Sequence, residues 1–130
     1  MRVSSVDIGV LASVCYFLGF GVVFLAVPST VETLGLKWID QAGKTEVRCY
    51  YGALSVALGG FLIYMLDIGH QGQALILVIF LASAVFVVRA GFLFVDHGVG
   101  LAYNKLAVPV ELGFVVFLVI TRLATFSVRL

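Results

Sequence analysis

The sequence is short of charge. Asp, Glu, Lys and Arg make up 12% of its 130 residues, against 62% hydrophobic residues. A water-soluble domain carries roughly 25% charged residues, because its surface must meet water. This chain cannot clothe a globule in polar groups, so lipid must do the covering. It also lacks any basic run, and its formal net charge is only +1, which removes the electrostatic footprint of a nucleic-acid binder. Histidine is scarce. His70 and His97 fall at opposite membrane faces in the helix assignment below and cannot share a metal. There is no Cys-x-x-Cys, no His-Glu-x-x-His and no phosphate-binding glycine loop. Ser83 has no base near it in its segment. No cofactor or metal is expected, and the chain reads as non-enzymatic. The two cysteines give no redox role. Cys15 lies twelve residues from the end of its segment, roughly 18 Å in depth, so pairing with Cys49 is excluded and two free thiols within lipid are expected.

What the sequence does have is four long apolar runs. A spanning helix needs roughly 20 mostly apolar residues. Residues 6–27, 46–66, 73–95 and 108–126 each satisfy this and predict helices 1 to 4. Met1-Arg2 followed by an apolar run suggests a signal peptide. However, the uncharged stretch 8–27 is longer than a signal core and ends at Ala26-Val27-Pro28, so a retained first helix is expected. Thr45 is placed to cap helix 2 with Glu46 favourable to its dipole, residues 67–72 to form a tight turn, and Pro109 to sit in the first turn of helix 4. The fold class is all-α: one domain over residues 1–130, an integral membrane four-helix up-and-down bundle.

An even number of helices brings both termini to one side, with the 67–72 turn. Arg2, Arg122 and Arg129 belong to that side; Lys37, Lys44, Arg48 and Lys105 to the other. Three cations against four do not decide orientation. The longer loop, on the far side, favours cytoplasmic termini. That loop contains Leu34, Leu36, Trp38 and Ile39, read as an interfacial piece with Trp38 at headgroup depth.

Charge inside a membrane helix is unfavourable, roughly 2.5–3.5 kcal/mol per residue at the helix centre, and normally faces the bundle interior. On helix 2, Arg48, Gly52, Ser55 and Gly59 fall at i, i+4, i+7 and i+11, one stripe of a helix. The small residues let a neighbour approach closely, and Arg48 should point inward. On helix 3, Arg89 follows a long uncharged run, with Asp96 two turns on. On helix 4, Glu111, Val115, Leu118 and Arg122 repeat the same spacing and should also face inward. Depth brings Glu46, Arg48, Tyr51, Arg89, Asp96 and Glu111 into one layer at the far face, with Glu111 pairing with Arg89 or Arg48. Asp7, Asp67 and Arg122 form a smaller set at the face of the termini. Gly9, Ser13 and Gly21 on helix 1 are expected to lie exposed, available to pack against another protein.

The segment Thr45-Glu46-Val47-Arg48-Cys49-Tyr50-Tyr51-Gly52-Ala53 resembles the N-E-x-R-x-x-Y-G-G opening of helix 2 in a small bacterial membrane family, domain of unknown function family 4345. Arg89-Ala90-Gly91 with Asp96, followed by Glu111, resembles that family's second half. The family is distantly similar to the DoxX-like four-helix proteins. Thr45 stands where the family has Asn, and Ala53 where it has a second Gly. The resemblance covers nearly the whole chain. It implies four helices in the bacterial cytoplasmic membrane and marks Glu46, Arg48, Tyr51, Gly52, Arg89, Asp96 and Glu111; it implies no activity.

Two readings of the charged layer stand side by side. The charges fix helix register by pairing, or they line a pocket for a headgroup, quinone or small solute. The leading expectation is a non-enzymatic accessory subunit or a lipid- or small-ligand-binding protein, partnered by membrane lipid, a larger membrane complex or further copies of itself. The first alternative, a proton-coupled or solute transporter acting as an oligomer, needs a polar path where helix 4 offers only Val115 and Leu118. The second, a membrane enzyme acting on a lipid or isoprenoid, needs a carboxyl of raised pKa, which adjacent arginines oppose.

Overall fold

The first two long helices start on side-chain caps, at Ser4 with Asp7 and at Asp40, and all four owe their length to apolar runs. The computed structural model describes residues 2–95, 102–124 and 127–129. Four of its helices are long and apolar enough to cross a membrane: α1 (Ser5–Ala26), α2 (Gln41–Asp67), α3 (Gln71–Val95) and α4 (Ala102–Leu123). A 3-10 turn spans Pro28–Leu34, and two short strands, β1 (Arg2–Ser4) and β2 (Ser127–Arg129), pair antiparallel. The class is all-α. Two compact units divide it, one of Met1–Val10 with His70–Leu130 and one of Leu11–Gly69.

In the first unit the ends of the chain meet. Arg2, Val3 and Ser4 pair with Arg129, Val128 and Ser127. Ser4 and Asp7 then cap α1 reciprocally: the Ser4 amide and hydroxyl donate to Asp7 Oδ2, both at 2.8 Å, and the Asp7 amide donates back to Ser4 Oγ at 3.2 Å. Asp7, assigned above to a charged set, is therefore occupied as a cap. The buried Ser5 hydroxyl donates to the Ala124 carbonyl at 2.7 Å, satisfying a group that the end of α4 leaves without a helical partner. Helices α3 and α4 run antiparallel. Arg89, late in α3, meets Glu111 in the first half of α4, whereas Leu75, early in α3, and Thr121, late in α4, both press on Gly9.

In the second unit α1 and α2 pack through small residues. Gly52 lies against Leu25, Gly59 against Leu18, and Gly21 against Val56 and the Gly52 carbonyl. Ser55 is half-buried between the two glycines of the stripe. Gly9, Ser13 and Gly21 are all buried within the chain, which corrects the expectation that they lie exposed for a partner. Phe20 and Phe24 lie tilted against each other along α1, centroids 4.5 Å apart, and Phe24 meets Tyr51 of α2 at 5.5 Å.

Other boundaries also differ from expectation. α2 begins at Gln41, five residues before the expected start, because Asp40 rather than Thr45 is the cap; its Oδ1 accepts from the Gly43 amide at 2.9 Å. Thr45 lies inside the helix and donates to the Gln41 carbonyl. α4 begins at Ala102, so Pro109 sits about two turns inside it and leaves the Lys105 carbonyl without its helical donor. Both helices extend beyond their apolar runs. The expected end of helix 4 at Phe126 lies outside the described residues, where α4 is helical to Leu123. The turn after α2 holds Gly69 at φ 75°, a left-handed conformation that other residues adopt only with strain.

Only 11% of the apolar windows of α3 and α4 is buried. Phe80, Val87 and Phe92 are among the large apolar side chains left facing outward. With so little apolar area buried between these helices, close packing at small residues carries much of their association. Gly21 is the sensitive position. A Cβ there would stand 2.8 Å from both the Gly52 carbonyl oxygen and the Val56 nitrogen, backbone atoms that cannot swing aside. Gly21→Ala should therefore destabilise the protein by about 1–3 kcal/mol. Gly60→Ala, with nothing within 4 Å of its Cβ, should be neutral or stabilising. The fraction remaining monodisperse after heating in detergent measures both.

Candidate functional site

Arg89 is carried by the last two turns of α3, roughly 9 Å of helix before Val95. Its Nε–H is shared between both oxygens of Glu111, at 2.8 and 2.9 Å. The two side chains are 27% and 22% exposed, so water or headgroups reach them while most of each is covered. The guanidinium carbon also lies 5.2 Å from the centre of the Tyr103 ring, within cation–π range. Of the two partners open to Glu111, the one beside it is Arg89.

A cleft of about 550 Å³ opens along this pair. Among the described residues its wall is apolar, from Ala84, Val85, Val88, Phe92 and Leu93 of α3, and its polar groups are Arg89 and Asn104. The volume lies within the roughly 300–1,000 Å³ usual for small-molecule sites. Tyr103 and Asn104, at the start of α4, were not singled out in the sequence. They precede the apolar run and read there as loop.

Arg48 has a different job. Its Nε donates to the Leu25 carbonyl at 3.2 Å, in the last turn of α1. Pro28 has no N–H to offer that turn, so the guanidinium supplies both a donor and a positive charge to the negative end of the helix dipole. The side chain is exposed rather than directed inward. A π-helical stretch spans Val47–Ala53, where the Leu54 amide reaches back to the Cys49 carbonyl. The extra residue in that turn rotates everything before it by about 100° relative to a regular helix. Arg48 nonetheless stays on the side of α1, since it and Gly52 both meet Leu25.

The remaining expected residues divide. Glu46 is exposed and makes no ion pair among the described residues. Tyr51 packs on Phe24. Asp96 and His97 lie outside the described residues. On α4, Glu111 and Val115 are half-buried and Leu118 is fully buried, while Arg122 is exposed in the last turn, the favourable end of the dipole for a cation. Cys15 and Cys49 are both free. Among the described residues no group of three His, Cys, Asp or Glu side chains is placed to hold a metal.

The pair is testable by charge exchange. Glu111→Arg should destabilise the protein by an amount between the about 1 kcal/mol of an exposed pair and the about 3–5 kcal/mol of a buried one broken on one side. Adding Arg89→Glu should recover part of the loss. Equal thermal midpoints for the single and double variants would show that the contact carries no energy. No family model, curated protein or solved structure matches this chain.

Proposed function

We propose that this chain is a non-enzymatic, multi-pass protein of the bacterial cytoplasmic membrane, a single four-helix up-and-down bundle of the kind its resemblance to domain of unknown function family 4345 implies, that holds a lipid or small amphiphile in the cleft along α3. The observation that carries the reading is an arginine set in an otherwise apolar cleft and held there by a carboxylate. An apolar wall suits a chain or ring, and the arginine suits its polar end. A guanidinium has five N–H donors, and Glu111 takes one. Among the described residues the others have no hydrogen-bond acceptor, which leaves them to a ligand. Glu111 cancels the charge of Arg89, so the arrangement favours a neutral acceptor, such as the carbonyl of an ester or quinone, over a full anion.

A transport path along α4 is not favoured, since the buried residues between Glu111 and Arg122 are Leu118 and Thr121, and the Thr121 hydroxyl is spent on the Leu118 carbonyl. The accessory-subunit reading draws on the same exposed apolar surface and is separated from ligand binding by experiment. Native mass spectrometry of the full chain, extracted gently from its own membrane, should show one dominant lipid or quinone adduct. Ala84→Trp, which fills the cleft from its exposed wall and leaves the Arg89–Glu111 contact alone, should abolish it. An adduct unchanged in Ala84→Trp would overturn the cleft as the site. A stoichiometric protein partner in place of an adduct would make the chain an accessory subunit.

A further inference from the structure

A second cleft, of about 200 Å³, lies in the other unit, where α1 ends and α2 begins. Its lining includes Pro28, Ser29, Trp38, Lys44 and Arg48. The local sequence builds it. Pro28 opens the buried start of the 3-10 turn, and Trp38 packs against Gly43, where an added Cβ would stand 2.9 Å from its own. Lys44 and Arg48 are four residues apart and line the same space.

The charge balance of this cleft is unlike that of the first. Glu32, Asp40 and Glu46 are the acids of this stretch, and none of them lines the cleft. Asp40 is engaged in capping α2. Among the described residues neither Lys44 nor Arg48 has a carboxylate within ion-pair distance. Arg48 gives one N–H to Leu25 and keeps four. Two uncompensated cations, the Ser29 hydroxyl and a tryptophan thus bound one small space at the end of an apolar helix, the depth at which headgroups lie. The volume is below the usual range for whole small molecules and is roughly that of seven waters, which suits a single compact anion.

We propose that this cleft binds an anionic phosphate group, with Lys44 and Arg48 as its counter-charges and Trp38 packed beside it. The source is the headgroup of an anionic phospholipid or a free phosphate. The proposal does not rest on the reading of the α3 cleft, which shares no residue with it.

Trp38 is the only tryptophan in the chain, so its fluorescence reports this site alone. The full chain in dodecyl maltoside micelles is titrated with phosphatidylglycerol or phosphatidylcholine brominated near the headgroup, and quenching is read. A basic residue near an anionic surface is worth about fivefold in affinity, so phosphatidylglycerol should reach half-quenching at a mole fraction roughly 25-fold lower. Lys44→Gln should reduce that preference to about fivefold. Lys44→Gln with Arg48→Gln should remove it. Because Arg48 also caps α1, Lys44→Gln, checked by circular dichroism and elution, is the variant that decides if the double variant does not fold. Inorganic phosphate, titrated in separately, names the source. Displacement of the brominated phosphatidylglycerol, or a Trp38 response to phosphate alone, assigns the site to free phosphate; no effect assigns it to lipid. Equal quenching by both lipids with no response to phosphate, or an unchanged preference in Lys44→Gln, would overturn the proposal.

Discussion

Arg89 and Glu111 stand on two helices whose other surfaces are apolar, and each is tolerable there because of the other. A single charge at such a depth would have to reach water or drag it inward. Joined, the two form a neutral dipole whose remaining N–H groups and partial exposure leave it open on one side. The consequences spread outward. The contact sets where α3 and α4 meet, α3 then presents Val85, Val88 and Phe92 beside the guanidinium, and the α3 cleft exists because an arginine, rather than a leucine, occupies its polar corner. Removing the pair in favour of apolar residues of like volume is a change that often leaves stability intact, so the fold alone does not call for it.

Several other polar side chains of the described residues serve helix ends, while the buried Gln71 Oε1 at the start of α3 has no partner among those residues. Helix ends leave amides and carbonyls without partners, and here side chains close to several of the ends supply them. Asp7 and Ser4 serve the start of α1, Arg48 its end, Asp40 the start of α2, and Ser5 the end of α4. Several ionisable residues that look like one layer in the sequence are therefore employed separately. Arg48 shows this best. Its charge meets a carbonyl dipole in its own unit, not a carboxylate.

How much of this was legible follows from what each feature depends on. Helix number and approximate span depend on apolar length alone, and all four runs carry helices. The Gly52 and Gly59 stripe depends on helical period alone and lies against α1 as close packing requires. The caps were less visible. Asp40 lies six residues before the apolar run, and a hydropathy boundary does not see a helix that starts in headgroups or water. The π-helical stretch had no sequence signal, and neither did the use of Arg48 on the Leu25 carbonyl at the end of α1. The partner of Glu111 was open between two arginines of similar depth, since depth does not say which helices are neighbours. The 200 Å³ cleft needed Trp38 folded onto Gly43, a contact that no periodicity encodes.

The two clefts differ in one physical respect, and it decides what each can hold. Beside Arg89 the positive charge is already matched, so a bound anion would gain little Coulomb energy while losing its hydration. A neutral acceptor loses much less on leaving water and still finds N–H donors, and the apolar wall receives the rest of the molecule. Beside Lys44 and Arg48 no carboxylate of the described residues does the matching, so an anion there would gain the attraction of two cations. Volume points the same way, since the matched site has room for a chain or ring and the unmatched one for a single compact group. In a chain with so few charged residues, whether a cation already has its carboxylate is what separates a place for a neutral amphiphile from a place for a phosphate.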